Sequence, residues 1–235
     1  MDIGKSFSFM FEDDRWITKL LIAAAILAVG WVFFWLAFIP VILAFLLLAG
    51  YQVEITRRVI RGVTPVLPEW DDWRRLLAEG VKFAIIGIVY ALPAIVVSIC
   101  LGIPIGLLGN NGSGDPNWIG CVLGCPLACL SILWAIVVAL LLPAAVAFYV
   151  VNDDLSAAFR FGAVVRFTRQ SISTYIITAV LAWVASLIGG LGSSVCLIGW
   201  LATYPYSIMV TGHLYGQAYL EASGRSVALA PEATP

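Results

Sequence analysis

The sequence predicts an all-α protein: a six-span transmembrane helical bundle of three helical hairpins, each preceded by a short amphipathic helix on the cytoplasmic surface. Three observations predict it. Of 235 residues, 62% are hydrophobic and only 11% charged, whereas a water-soluble globule needs about a quarter of its residues charged. The charge is clustered, leaving four apolar blocks: Ile17–Gly50, Val81–Leu108, Trp118–Val151 and Thr174–Ala218. The 13 Lys and Arg all fall on one face if the first and fourth blocks each fold into a hairpin, as the positive-inside bias requires. A net charge of −1 and a pI near 5.8 exclude a nucleic-acid partner, and a mean hydropathy of +1.00 leaves no room for a large soluble catalytic domain.

The elements follow in order. Ile3, Phe7 and Met10 share one helical face behind Asp2, which predicts an interfacial lead-in helix. The first block would run about 51 Å as one helix, against a bilayer core of about 30 Å. Pro40 marks its break, since proline removes a backbone donor and restricts the residue before it. Spans are therefore expected near 17–37 and 40–60. A fainter lead-in, Asp72-Trp73-Arg74-Arg75-Leu76-Leu77, precedes spans at 81–108 and 118–151. Asp154–Phe161 repeats the acid, the aliphatic residue and both phenylalanines of Asp2–Phe9, and leads into the third hairpin. There Gly189, Gly190, Gly192, Ser193 and Ser194 form the turn between spans 174–190 and 195–218. Residues 1–220 make one integral membrane domain and 221–235 a flexible tail. Both termini are expected in the cytoplasm, in a cell inner membrane. The acidic N-terminus and the long first apolar run argue against a cleaved signal peptide. Trp16, Trp70 and Trp73 fall at the inner boundary and Trp118 and Trp200 at the outer one. Trp134 and Trp183 fall at mid-depth, where an indole N–H needs a partner from a neighbouring helix or a ligand.

Candidate chemistry is sparse. Glu54 and Lys82 are the ionisable groups expected about a turn inside the membrane, where they can snorkel. Ion-coupled carriers place carboxylates or histidines at mid-membrane, which weighs against a proton pump. His213, the single histidine, is a hydrogen-bonded imidazole or the one cofactor-binding candidate. Gln52, Glu54 and His213 lie at similar depth and form a candidate polar cluster, while Gly212 and Gly216 are a candidate packing face. Arg57, Arg58, Arg61, Arg74 and Arg75 make a basic cytoplasmic surface for anionic lipid headgroups. The five cysteines serve as small packing residues or include a Cys121–Cys196 disulfide on the oxidising side; none suits a metal ribbon. The Gly-rich stretch 109–116 lacks the Gly-Lys-Ser/Thr ending of a phosphate loop and reads as a solvated turn. Pro93, Pro104, Pro126, Pro143 and Pro205 predict kinks, with a substrate pocket as the alternative.

Gly50-Tyr51, Arg57-Arg58, Gly62 and Leu67-Pro68-Glu69-Trp70-Asp71, with the Phe7–Trp16 opening, resemble a family of prokaryotic polytopic membrane proteins of unknown function (DUF4013-like). The resemblance implies a six-helix inner-membrane protein and carries no activity, cofactor or catalytic residue. The leading functional expectation is a non-enzymatic accessory or scaffold subunit with lipid and other membrane subunits as partners. The alternative is a transporter or flippase-like carrier of a lipid or small apolar molecule. No catalytic residue, metal or cofactor is expected, although a pigment or quinone is compatible with the first reading.

Overall fold

The computed structural model describes residues 3–32, 38–109 and 118–224, and within them every regular element is helical. α1 (Ile3–Ser8) runs into a 3-10 turn (Phe9–Glu12), followed by α2 (Trp16–Val32) and α3 (Ile39–Arg61). α4 (Trp73–Gly109) and α5 (Trp118–Asn152) are the longest helices. Two short helices, α6 (Leu155–Ala158) and α7 (Phe161–Gln170), lead into α8 (Ile172–Leu191); a 3-10 turn (Gly192–Val195) joins it to α9 (Cys196–Ala222).

Local chemistry sets the boundaries. Pro40 sits in the first turn of α3, where the missing N–H costs nothing. Gly62, at φ 65°, closes the same helix in the left-handed conformation, and the Val63 N–H donates to the Arg58 carbonyl at 2.9 Å. Asp72 caps α4 by accepting from the Arg75 N–H at 3.0 Å, and Asp154 caps α6 through the Ser156 N–H at 3.0 Å.

Among the described residues, four helices are long and apolar enough to cross a membrane: Ile39–Arg61, Trp73–Gly106, Val122–Asn152 and Ile172–Leu191. α2 reaches that standard only together with residues 6–12, from which it is bent by 108°. α9 is long enough, at 27 residues, but is interrupted by Thr203, Ser207, Thr211, His213 and Gln217. The reason is its position: it packs against α1, α2, α3, α5, α7 and α8, so its polar groups face protein rather than the outside. One core forms around Leu27, Leu48, Tyr51, Ile55, Leu67 and Met209, and a second around Ile86, Tyr149, Val164, Tyr175 and Tyr215.

In lipid, apolar burial gives helices little reason to associate, so close backbone approach and interhelical hydrogen bonds must do it. The tightest approach is between α3 and α4. A Cβ on Gly50 would stand 1.8 Å from the Leu76 carbonyl oxygen, and one on Gly80 would stand 1.8 Å from that of Leu46. α3 meets α9 where Thr56 Oγ1 lies 2.9 Å from the Gly212 carbonyl oxygen.

Three expectations need correction. The middle lead-in is no separate helix: α4 begins at Trp73, so Asp72–Leu77 is its cap and first turns, eight residues before the expected span. The first lead-in does not simply lie on a surface. Ser6, Phe9 and Met10 are buried, because α1 turns inward against α9. Trp183 points outward and is exposed, whereas the Trp134 indole donates to the Tyr90 carbonyl at 3.0 Å.

Candidate functional site

The glycine crossing of α3 and α4 draws two carboxylates around one buried guanidinium. Arg57 Nη1 donates to Glu54 Oε2 at 2.8 Å and Nη2 to Glu79 Oε2 at 2.8 Å. All three side chains are about nine-tenths buried or more. From α5, the Tyr149 hydroxyl donates to Glu79 Oε2 at 2.6 Å. Half-exposed cations complete the coordination: Arg75 reaches Glu54 at 2.9 Å, and Lys82 reaches Glu79 at 3.1 Å. Lys82 Nζ also lies 5.6 Å from the centroid of the Tyr149 ring. On the next turn out, Asp153 pairs with Arg61 at 2.9 Å and approaches Arg57 at 3.6 Å. Asp153 adopts a left-handed backbone, φ 48°, which a short polar side chain tolerates. Burying ions is costly, and here each buried carboxylate has at least two cationic partners to offset it. Chemically this is a clamp: it ties α3, α4 and α5 together.

A second knot explains the Tyr51 and Leu67–Trp70 motif. Lys19 is buried, and its ammonium donates to Asp13 at 2.7 Å and to the Leu67 carbonyl at 3.0 Å, and pairs with Glu69 at 3.1 Å. The Trp70 indole donates to the Lys19 carbonyl, the Tyr51 hydroxyl donates to the Pro68 carbonyl, and the two rings stack at 4.3 Å. The loop after α3 is thus folded back under α2. Burial alone would raise the Asp13 pKa, but the hydrogen bonds from Lys19 and the Arg15 N–H, with both positive charges, outweigh it and hold it below its ordinary 3.8. A carboxyl with a lowered folded-state pKa adds stability above its unfolded value and loses it as pH falls through the folded one. The melting-midpoint difference between the wild type and Asp13→Asn is therefore expected to stay constant from about pH 6 to about pH 4, and to narrow only below that.

The third polar cluster joins the first helix to the last. Ser6 Oγ donates to Gln217 Oε1 at 3.1 Å and lies 3.3 Å from His213 Nδ1. Phe9 stacks on the imidazole with centroids 4.3 Å apart, and the Tyr206 hydroxyl donates to the Phe7 carbonyl at 3.0 Å.

The candidate residues distribute as follows. Glu54 and His213 fall into different clusters, and Gln52 lies against the backbone at Gly212. The expected polar trio is therefore split, because α9 meets α3 with its glycine face while His213 turns toward α1. A Cβ on Gly212 would be 2.7 Å from the Gln52 carbonyl oxygen, and one on Gly216 would be 2.6 Å from Val59 Cβ. Of the five arginines expected at lipid headgroups, Arg57 is buried in the clamp. Arg58 bonds the Pro65 carbonyl at 3.1 Å, while Arg61 and Arg75 pair with Asp153 and Glu54. Arg74 stays exposed. The Cys121 and Cys196 side chains lie outside those described; Cys100, Cys125 and Cys129 are free exposed thiols. Glu79 and Tyr149 were not singled out by sequence reasoning. The signal for Glu79 is its i, i+3 spacing to Lys82, the same spacing as Glu54 to Arg57.

The model of one protein family, described as a protein of unknown function (DUF4013), matches residues 33–198. That range holds the whole clamp, the Gly50–Gly80 crossing and the Leu67–Trp70 loop. No curated protein and no solved structure matches. With most of its length under the family model, the chain belongs to the DUF4013 family, proteins of unknown function.

Proposed function

We propose that the chain is an integral protein of a prokaryotic inner membrane, crossing six times through α2, α3, α4, α5, α8 and α9 with both termini in the cytoplasm. It works without catalysis, as an accessory or scaffold subunit of a larger membrane assembly. The observation that carries this reading is the α4–α5 hairpin. At 37 and 35 residues its helices are about 55 and 52 Å long, well beyond the roughly 30 Å hydrocarbon core. None of the most apolar stretch of α5 is buried against the rest of the chain. Ile95, Ile99, Ile103, Leu130 and Leu133 all face outward from it. An apolar arm longer than the membrane needs is suited to contact with a neighbouring subunit, while the charged groups at its base hold it in place.

Blue-native electrophoresis after mild detergent extraction tests the assignment. Migration well above the 25.4 kDa chain with co-migrating proteins is expected; a bare monomer under every mild condition would overturn it. The carrier reading has one observation in its favour, an outward-facing apolar groove of about 460 Å³ between α2 and α3, lined by Ile22, Ile26, Val29, Leu43, Leu47 and Trp73. A lipid-flip assay in proteoliposomes separates the two.

A further inference from the structure

We propose that the outward face of α7 binds the phosphate headgroup of an anionic phospholipid. The arginines expected to serve lipid are largely committed elsewhere: Arg57, Arg61 and Arg75 to carboxylates, Arg58 to the loop after α3. Arg166 and Arg169 are different. Among the described residues neither has an ion pair or hydrogen-bond partner, and both are exposed.

The orientation of α7 is set by its inner face, where Val164 and Thr168 are buried. The outer face then forms a shallow recess of about 530 Å³ lined by Phe161, Gly162, Val165, Arg166, Arg169 and Gln170. In 100° steps around the helix these positions sweep from an apolar edge, Phe161 and Val165, through Arg169 and Gly162 to Arg166 and Gln170. Phe161 is 48% exposed. Nothing lies within 4 Å of where a Gly162 Cβ would be, so the recess is open one turn below Arg166. Two guanidiniums spaced i, i+3 offer paired donors to a phosphodiester. A graded apolar-to-basic face suits a helix lying in the headgroup plane rather than an acidic protein surface. Position agrees: α8, long and apolar enough to cross a membrane, begins at Ile172, directly after Ser171 ends α7. The proposal rests on the membrane reading and cytoplasmic placement given above.

The test uses the full chain in mild detergent, titrated with phosphatidylglycerol or phosphatidylcholine, with bound lipid counted by native mass spectrometry. The wild type is expected to prefer phosphatidylglycerol. Each guanidinium is expected to contribute about 5-fold, so that Arg166→Gln with Arg169→Gln weakens binding on the order of 25-fold. Arg74→Gln is expected to change it less than about 2-fold, and millimolar inorganic phosphate should not displace the lipid. Replacing both residues with lysine should retain the preference for phosphatidylglycerol at reduced affinity. Unchanged binding in the Gln pair, or equal binding of the two lipids by the wild type, overturns the proposal. Carbonate washing of membranes is run alongside: release of the wild type would overturn the membrane reading and this proposal together. Retention without a lipid preference would overturn this proposal alone.

Discussion

Gly50→Ala is expected to cost about 3 kcal/mol or more and to abolish accumulation of the folded protein, at the upper end of what overpacking does to a close-packed interior. The new Cβ would meet the Leu76 carbonyl oxygen at 1.8 Å, and a backbone carbonyl fixed in the first turn of α4 cannot rotate away as a side chain could. Relief requires the two helices to move apart. That movement would carry Glu79 away from Arg57 and expose both to unpaired burial. Gly80→Ala meets the same obstacle from the other side, at the Leu46 carbonyl. Gly87→Ala, on the same helix with open space around it, is the control and should be neutral or slightly stabilising. Denaturation by SDS titration in mixed micelles measures all three. Equal stability of Gly50→Ala and Gly87→Ala would refute the close crossing.

The second large effect is expected at Arg57. Arg57→Met should cost about 3–5 kcal/mol, the range for removing one partner of a buried ion pair. Glu54 and Glu79 would then face each other across the vacated site with only Arg58, Arg75 and Lys82, all partly exposed, to compensate. Glu79→Gln should cost less, because Glu54 and Asp153 still face the guanidinium. In a double-mutant cycle the pair should lose less than the sum of the single losses, by about 0.5–3 kcal/mol. Additivity would mean that the 2.8 Å contact contributes no coupling energy.

Much of the architecture can be read from residue order. Apolar block length, Pro40 and the Gly189–Ser194 run set helix number and breaks, since lipid demands continuous backbone hydrogen bonding and a chain can turn only where that demand lapses. The close-packing glycines of α9 are equally visible, because spacing alone places them on one face. Which faces meet is not visible. Glu79 falls between the Asp72–Leu77 lead-in and the span expected from residue 81, and only the crossing at Gly50 brings it to Arg57. The basic cluster is legible as charge, but whether a guanidinium meets a carboxylate or a phosphate depends on helix rotation. Arg57 and Arg166 therefore look alike in sequence and differ in place. The polar run in α9 reads as weak hydropathy and gains meaning only from its central position.

That central position bears on how the protein is made. Ser6 reaches Gln217 across 211 residues of chain, and Thr56 on α3 reaches the backbone at Gly212. These groups have their partners on a helix that follows all the others they touch. On the membrane reading proposed above, these contacts to α9 can form only once the last helix has left the ribosome. α9 in turn is too polar to enter readily unless a docking surface already awaits it. On that same reading the fold would be completed by its C-terminal helix, and a nascent chain stalled before α9 would be a substrate for membrane quality control.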